Sequence, residues 1–121
     1  MLWIFAAVSI SAHSILWFME PEMLKQVLSG EEAWGPGMMF FMSLFWWVPL
    51  VMAFLSLTLK DRANRGANMV LGIIFTVLNL IHFVEHLAAG PSAHQSLIVG
   101  STAVVTALIV LYAWKWPQEG A

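Results

Sequence analysis

Two histidines and one acid stand close together in an otherwise apolar stretch, in the run His82-Phe83-Val84-Glu85-His86. Histidines at i and i+4 share a helix face and can bind a single metal ion. With the intervening acid the order reads HxxEH, which resembles the inverted zinc-protease motif. A zinc hydrolase needs a third ligand, and here only His13 or Glu20 is available, reaching across from a distant part of the chain. The sequence shows no further domain to hold a peptide, so a binding site is expected rather than a protease.

Two other chemistries draw on the same residues. His13 with His82 or His86 would serve as axial ligands of one b-type haem in a bundle core, with Trp46, Trp47 and Phe75 walling the macrocycle. Met19, Met23, Met38, Met39 and Met42, beside His13, His82, His86 and His94, offer thioethers and imidazoles that suit Cu(I). Methionine is also an ordinary gap-filler in apolar packing. Against all three stands a simpler reading, in which His13, Asn79, His82 and Glu85 form an interhelical hydrogen-bonded network that fixes helix register. An ionisable group at depth in a membrane is nevertheless a functional-site hypothesis by default.

The elements that must position these residues follow from composition. Of 121 residues 60% are hydrophobic and 10% charged, whereas a soluble domain is about half apolar and about a quarter charged. A net charge of −2 gives no electrostatic footprint for nucleic acid, and the lack of cysteine excludes disulfides, thiolate zinc sites and iron–sulfur clusters. A membrane helix needs about 20 mostly apolar residues. Four segments qualify: 2–19, 38–59, 67–89 and 97–116. The fold class expected is therefore an all-α, four-transmembrane-helix bundle forming a single membrane domain over 1–121. No basic residue precedes the first segment, so it is read as a retained helix rather than a secretory signal.

Between the spans, 20–37 is an acidic loop in which Pro21 and Gly30 bracket a short interfacial helix. Residues 60–66 form a basic loop, and 90–96 a loop without full charges. Cytoplasmic loops are enriched in Lys and Arg. Lys60, Arg62, Arg65 and Lys115 therefore place both termini and 60–66 in the cytoplasm, and 20–37 and 90–96 outside. Trp3, Tyr112, Trp114 and Trp116 form the inner aromatic belt, and Trp17 and Trp34 the outer one.

On the third span Asn68, Gly72, Phe75, Asn79, His82 and His86 share one stripe, opposite Ile73, Val77, Leu80, Ile81, Val84 and Leu87, which face lipid. On the fourth, Gly100, Ala103 and Ala107 allow close helix approach, and Pro49 should bend the second. At about 1.5 Å per residue, His13, His82, Glu85 and His86 all fall within roughly 5–11 Å of the outer boundary. Trp46 and Trp47 reach the same level, with Asn79 one turn deeper.

From the second span onward the chain resembles a known family. The resemblance is carried by Phe54-Leu55-Ser56-Leu57-Thr58-Leu59-Lys60, by Asn64-Arg65, by Leu71-Gly72-Ile73-Ile74, and by the ending Ala107-Leu108-Ile109-Val110-Leu111-Tyr112-Ala113-Trp114-Lys115-Trp116-Pro117. These resemble the DoxX-like small four-helix membrane proteins, in a branch classed as a domain of unknown function. The resemblance covers roughly residues 30–117 and is most specific at 112–117. It implies a four-helix bundle in the prokaryotic inner membrane. Since its name-giving relatives are small subunits associated with quinol oxidase and sulfur-compound oxidation, it also implies an accessory role beside a redox complex. The pattern His82-Glu85-His86 is not part of it, so no functional residue is carried over.

The sequence thus leads to a small multi-pass membrane protein, a non-catalytic or accessory subunit in contact with lipid. It would be a homo-oligomer or part of a larger membrane complex, with no nucleic acid partner. Its polar site in the outer leaflet would bind a small ligand, a metal or a haem, with His13 and His82 as ligands, His86 as the alternative ligand, Glu85 orienting an imidazole or joining His13, His82 and His86 on a metal, and Asn79, Trp46 and Trp47 nearby. An oligomeric carrier of copper, protons or a small molecule is the alternative, and a purely structural subunit the second alternative.

Overall fold

A computed structural model describes residues 1–31, 34–90 and 92–117. Those residues form five helices and no strand: α1 (Leu2–Met19), α2 (Pro21–Ser29), α3 (Pro36–Thr58), α4 (Asp61–Ala88) and α5 (Ala93–Lys115). All but α2 are long and apolar enough to cross a membrane.

The helix boundaries have local causes. Pro21 and Pro36 open α2 and α3, where a missing N–H costs nothing. Gly30, with φ 74°, closes α2; Gly30 N–H donates to the Val27 carbonyl and Glu31 N–H to the Gln26 carbonyl, the paired bonds of a Schellman motif. The short helix expected in 20–37 is therefore present, while Glu32 of that acidic segment lies outside the described residues.

Two expected loops are mostly helix. Residues 60–66 read as a loop because of their charges, yet α4 starts at Asp61, whose carboxylate suits a helix amino end. Asn64, Arg65 and Asn68 are then in helical register and turn toward the bundle. Likewise α5 starts at Ala93 rather than at 97, so most of 90–96 is its first turn; Pro91 lies outside the described residues.

The helices pack in the order α4, α5, α1, α3, while α3 and α4, consecutive in sequence, touch only lightly. α1 and α4 thus face each other diagonally, their backbones apart and their side chains meeting in the middle. The central layer takes one large side chain from each long helix: Trp3, Met52, Phe75 and Ile109. Trp3 and Phe75 meet edge to face, with ring centroids 5.7 Å apart. The expected stripe on α4 is the inward one, since Asn68, Gly72, Phe75 and Asn79 are buried, and Asn64 extends it by one turn. The opposite face, including Ile73, Val77, Leu80 and Val84, is exposed.

α4 and α5 approach closely at Gly72, where an added Cβ would lie 3.0 Å from Val110 Cγ2 and 3.3 Å from Ile109 Cγ2, and at Gly100, against Phe83. Ala103 is buried, but Ala107 is exposed. The approach strip on α5 runs through Val99, Thr102, Thr106 and Ile109, and Ala107 lies beside it rather than on it. Pro49 is buried inside α3, which continues as helix through it.

At the end holding Trp3 and Ala113 a polar layer ties the four long helices together. Trp3 Nε1–H donates to Asn68 Oδ1 at 2.6 Å. Asn68 Nδ2 donates to the Asn64 carbonyl at 2.8 Å and to Ser56 Oγ at 3.3 Å, and Asn64 Nδ2 donates to the Ser56 carbonyl at 2.8 Å. Arg65 Nε–H donates to the Ala113 carbonyl at 3.0 Å, placing a cation at the carboxyl end of α5.

Three outcomes follow for unfolding in detergent or bicelles. Gly72→Leu overpacks the α4–α5 contact and should cost about 1–3 kcal/mol. Gly66→Ala, with open space around its added Cβ, should gain about 0.5–1 kcal/mol by restricting the unfolded chain. Asn68→Leu, which strips Trp3 Nε1–H of its buried acceptor, should cost about 1–3 kcal/mol.

Candidate metal centre

The other end of the bundle brings together three of the residues singled out by type. His13 sits on α1, two turns before the helix ends, and His82 and His86 lie one turn apart on the inward stripe of α4. One ligand nitrogen from each of the three histidines can be chosen so that all lie within 4.8 Å of one another. The rings meet edge to face, with centroids 5.1 Å apart for His13–His82, 4.9 Å for His13–His86 and 4.6 Å for His82–His86. Nε2 of His13 and Nε2 of His82 are 3.1 Å apart. Two nitrogens sharing one tetrahedral ion at 2.0–2.1 Å would lie about 3.3 Å apart.

The outer nitrogens are also arranged. His13 Nδ1–H donates to Gln95 Oε1 in a short hydrogen bond, which leaves Nε2 bare on the side facing His82. His82 Nδ1 lies 4.0 Å from Glu85 Oε2. Histidines that ligate metals commonly turn their other N–H to a carbonyl or carboxylate, which fixes tautomer and ring orientation. With His13 Nε2 bare, the geometry allows His82 Nε2–H to donate to it, and the other nitrogen of His82 is the one nearer Glu85.

Gln95 was not among the residues expected here, because its segment reads as a loop. It is 1% exposed, and its Nε2 has no hydrogen-bond partner among the described residues. A signal for it was present: the buried positions Val99, Thr102, Thr106, Ile109 and Ala113 repeat at helical spacing, and one step back along them is Gln95.

The remaining expected residues are placed elsewhere. Asn79 is buried, but its Nδ2 donates to the Phe75 carbonyl of its own helix at 2.8 Å. α3 turns Phe45, Val48, Pro49 and Met52 inward. Trp46 and Trp47 therefore point off that face and line a shallow groove with Phe40, Ser43, Leu44 and Leu50 on the bundle's exterior. Phe75 lies in the central layer against Trp3 and Phe45. A haem between His13 and His82 does not fit, because their facing nitrogens are in hydrogen-bond contact and the His86 ring packs edge-on against both. Met38, Met39 and Met42 are exposed along α3, and Met23 is buried under α2.

Just beyond the three histidines lies a second cluster. Ser92 Oγ–H donates to Glu20 Oε1 at 3.0 Å, and His94 Nε2 is 3.4 Å from the same oxygen. Trp17 stacks on Trp34 nearby, with centroids 5.6 Å apart and planes 17° from parallel. The two residues expected as the outer aromatic belt are thus in contact.

Comparison with protein-family models, with curated proteins and with solved structures found no match.

The Gln95 contact sets a tautomer that can be measured. In metal-free protein carrying ¹⁵N-histidine, His13 should show the Nδ1–H form, and Gln95→Leu should convert it to the Nε2–H form or to a mixture.

Proposed function

We propose that this chain is a small integral membrane protein whose bundle holds one divalent first-row transition-metal ion on His13, His82 and His86. The observation that carries the reading is the convergence of three imidazole nitrogens from two diagonal helices, with the far nitrogens of His13 and His82 turned to an amide oxygen and a carboxylate. Neutral imidazoles without thiolate or an inward carboxylate suit Zn²⁺, and also Cu²⁺, Ni²⁺ or Co²⁺. Three protein ligands leave one coordination position for water or a small ligand. Glu85 lies at the outer nitrogen of His82, away from that position, so its role is to orient an imidazole rather than to act as a base on bound substrate.

The setting proposed is a bilayer spanned by α1, α3, α4 and α5, with the metal site in the outer leaflet and both termini in the cytoplasm. Its support is the division of charge. Lys60, Arg62, Arg65 and Lys115 lie at the end with Trp3 and Ala113, while Glu20, Glu22 and Glu31 lie at the other. The DoxX-like resemblance of residues 30–117 agrees with a prokaryotic inner membrane and with an accessory place in a larger complex. It supplies none of the histidines.

Gently purified protein should carry close to one equivalent of a single metal by plasma mass spectrometry, and His13→Ala/His82→Ala should carry none. A metal-free wild type that also fails to take up Zn²⁺ or Co²⁺ would overturn the reading. With Co²⁺ the wild type should show the intense visible bands of a four-coordinate ion, and Glu85→Gln should weaken binding about 10–100-fold. Acid should release the metal, because imidazoles ligate only in their neutral form.

A further inference from the structure

Glu20, at the carboxyl end of α1, and Ser92 and His94, at the amino end of α5, lie beyond the imidazoles at the same end of the bundle. Glu20, the extended residue that ends α1 and caps α2, follows His13 by seven residues, or about 10–11 Å along the helix direction. His94 directly precedes Gln95, whose side chain contacts His13, and Ser92 lies three residues before it. Three donor atoms converge: Glu20 Oε1 and Ser92 Oγ are 3.0 Å apart, Ser92 Oγ and His94 Nε2 are 3.3 Å apart, and Glu20 Oε1 and His94 Nε2 are 3.4 Å apart. Adjacent ligands on one ion at about 2.0–2.2 Å have this spacing, roughly 3.0 Å in an octahedral and 3.3–3.5 Å in a tetrahedral arrangement.

Two further observations set the cluster apart from an ordinary surface contact. Ser92 is the N-cap of α5, yet its hydroxyl makes no capping bond to the helix and is directed to Glu20 instead. Serine at this position ordinarily accepts from the helix's own free N–H groups. Both Ser92 and Glu20 address the same nitrogen of His94, so the three do not form a nucleophile–base–acid relay, in which the acid would hold the other nitrogen. What the geometry offers is one carboxylate oxygen, one hydroxyl and one imidazole facing a common point. The carboxylate favours a cation there; of the helix ends that meet at this point, the carboxyl end of α1 favours one and the amino ends of α2 and α5 oppose it. Both charged partners are in part open to solvent, with side-chain exposures of 35% for Glu20 and 49% for His94.

We propose that Glu20, Ser92 and His94 form a second, weaker cation site at the mouth of the bundle, through which a divalent first-row metal ion reaches the His13–His82–His86 centre. The proposal rests on the metal-binding reading of those three histidines. The full-length protein in lipid nanodiscs tests it, with Zn²⁺ titrated calorimetrically and Co²⁺ loading followed by stopped-flow absorbance. Wild type should bind two equivalents, one tight and one at least about tenfold weaker. Glu20→Gln/His94→Ala should lose the weak equivalent, keep the tight one within about threefold, and load Co²⁺ at least about tenfold more slowly. Ser92→Ala, a milder change at the same point, should slow loading in the same direction. A double variant that keeps the second equivalent, or that loads at the wild-type rate, overturns the mouth site. His13→Ala/His82→Ala should lose the tight equivalent and retain the weak one. If it retains both, the histidine centre fails, while the mouth site is still judged by Glu20→Gln/His94→Ala.

Discussion

The stripe Asn64, Asn68, Gly72, Phe75, Asn79, His82 and His86 along one face of α4 obliges the other helices to gather on that side. Polar groups in hydrocarbon have no water to bond, so each must find a partner within the protein or in its own helix. Asn79 takes the second course, bonding the Phe75 carbonyl. Asn68 and His82 take the first, and both reach across the bundle to α1, to Trp3 and His13. α1 and α4 are held as a diagonal pair by these two contacts and by Trp3 against Phe75. α5 fits between them because Gly72 and Gly100 remove the side chains that would keep it away. α3 completes the central layer with Met52.

The chemistry at the loop end inherits this arrangement. A metal centre on a single helix would have only the i and i+4 histidines, and a weak geometry. The third imidazole comes from a helix whose approach is set by packing several turns away, and its orientation comes from an amide on yet another helix. Binding at His13, His82 and His86 would therefore couple α1, α4 and α5, so metal affinity and bundle stability are linked.

Much of this was legible in the sequence, for a physical reason. Four apolar runs and the 3.6-residue repeat on α4 fixed the number of helices, the inward face and the shared depth of His13, His82 and His86. Two kinds of residue escaped. Asn64, Arg65 and Gln95 lie in segments whose charged and polar character reads as loop, although helices run past the apolar zone by a turn or more and keep their inward face when they do. Trp46 and Trp47, counted to the level of the histidines, lie on the exterior side of α3. Depth follows from counting residues along one helix, whereas azimuth depends on which neighbours that helix meets. In α3 the flat hydrophobic pattern gives little hint of that: past the opening Pro36 and Gly37 nearly every position is apolar, and only Ser43, Pro49, Ser56 and Thr58 break it.

The two polar layers recruit different numbers of helices. Trp3, Ser56, Asn64, Asn68 and Arg65 join α1, α3, α4 and α5 at one end, whereas His13, His82, His86 and Gln95 draw on α1, α4 and α5 alone. Cross-bracing is therefore graded along the long axis of the molecule, complete at the end of the chain's first and last turns and three-sided at the other. In mechanical terms the bundle resembles a clamp whose base takes in all four long helices and whose jaws are α1, α4 and α5. Charge can change between the jaws without disturbing the joint that holds the four helices together.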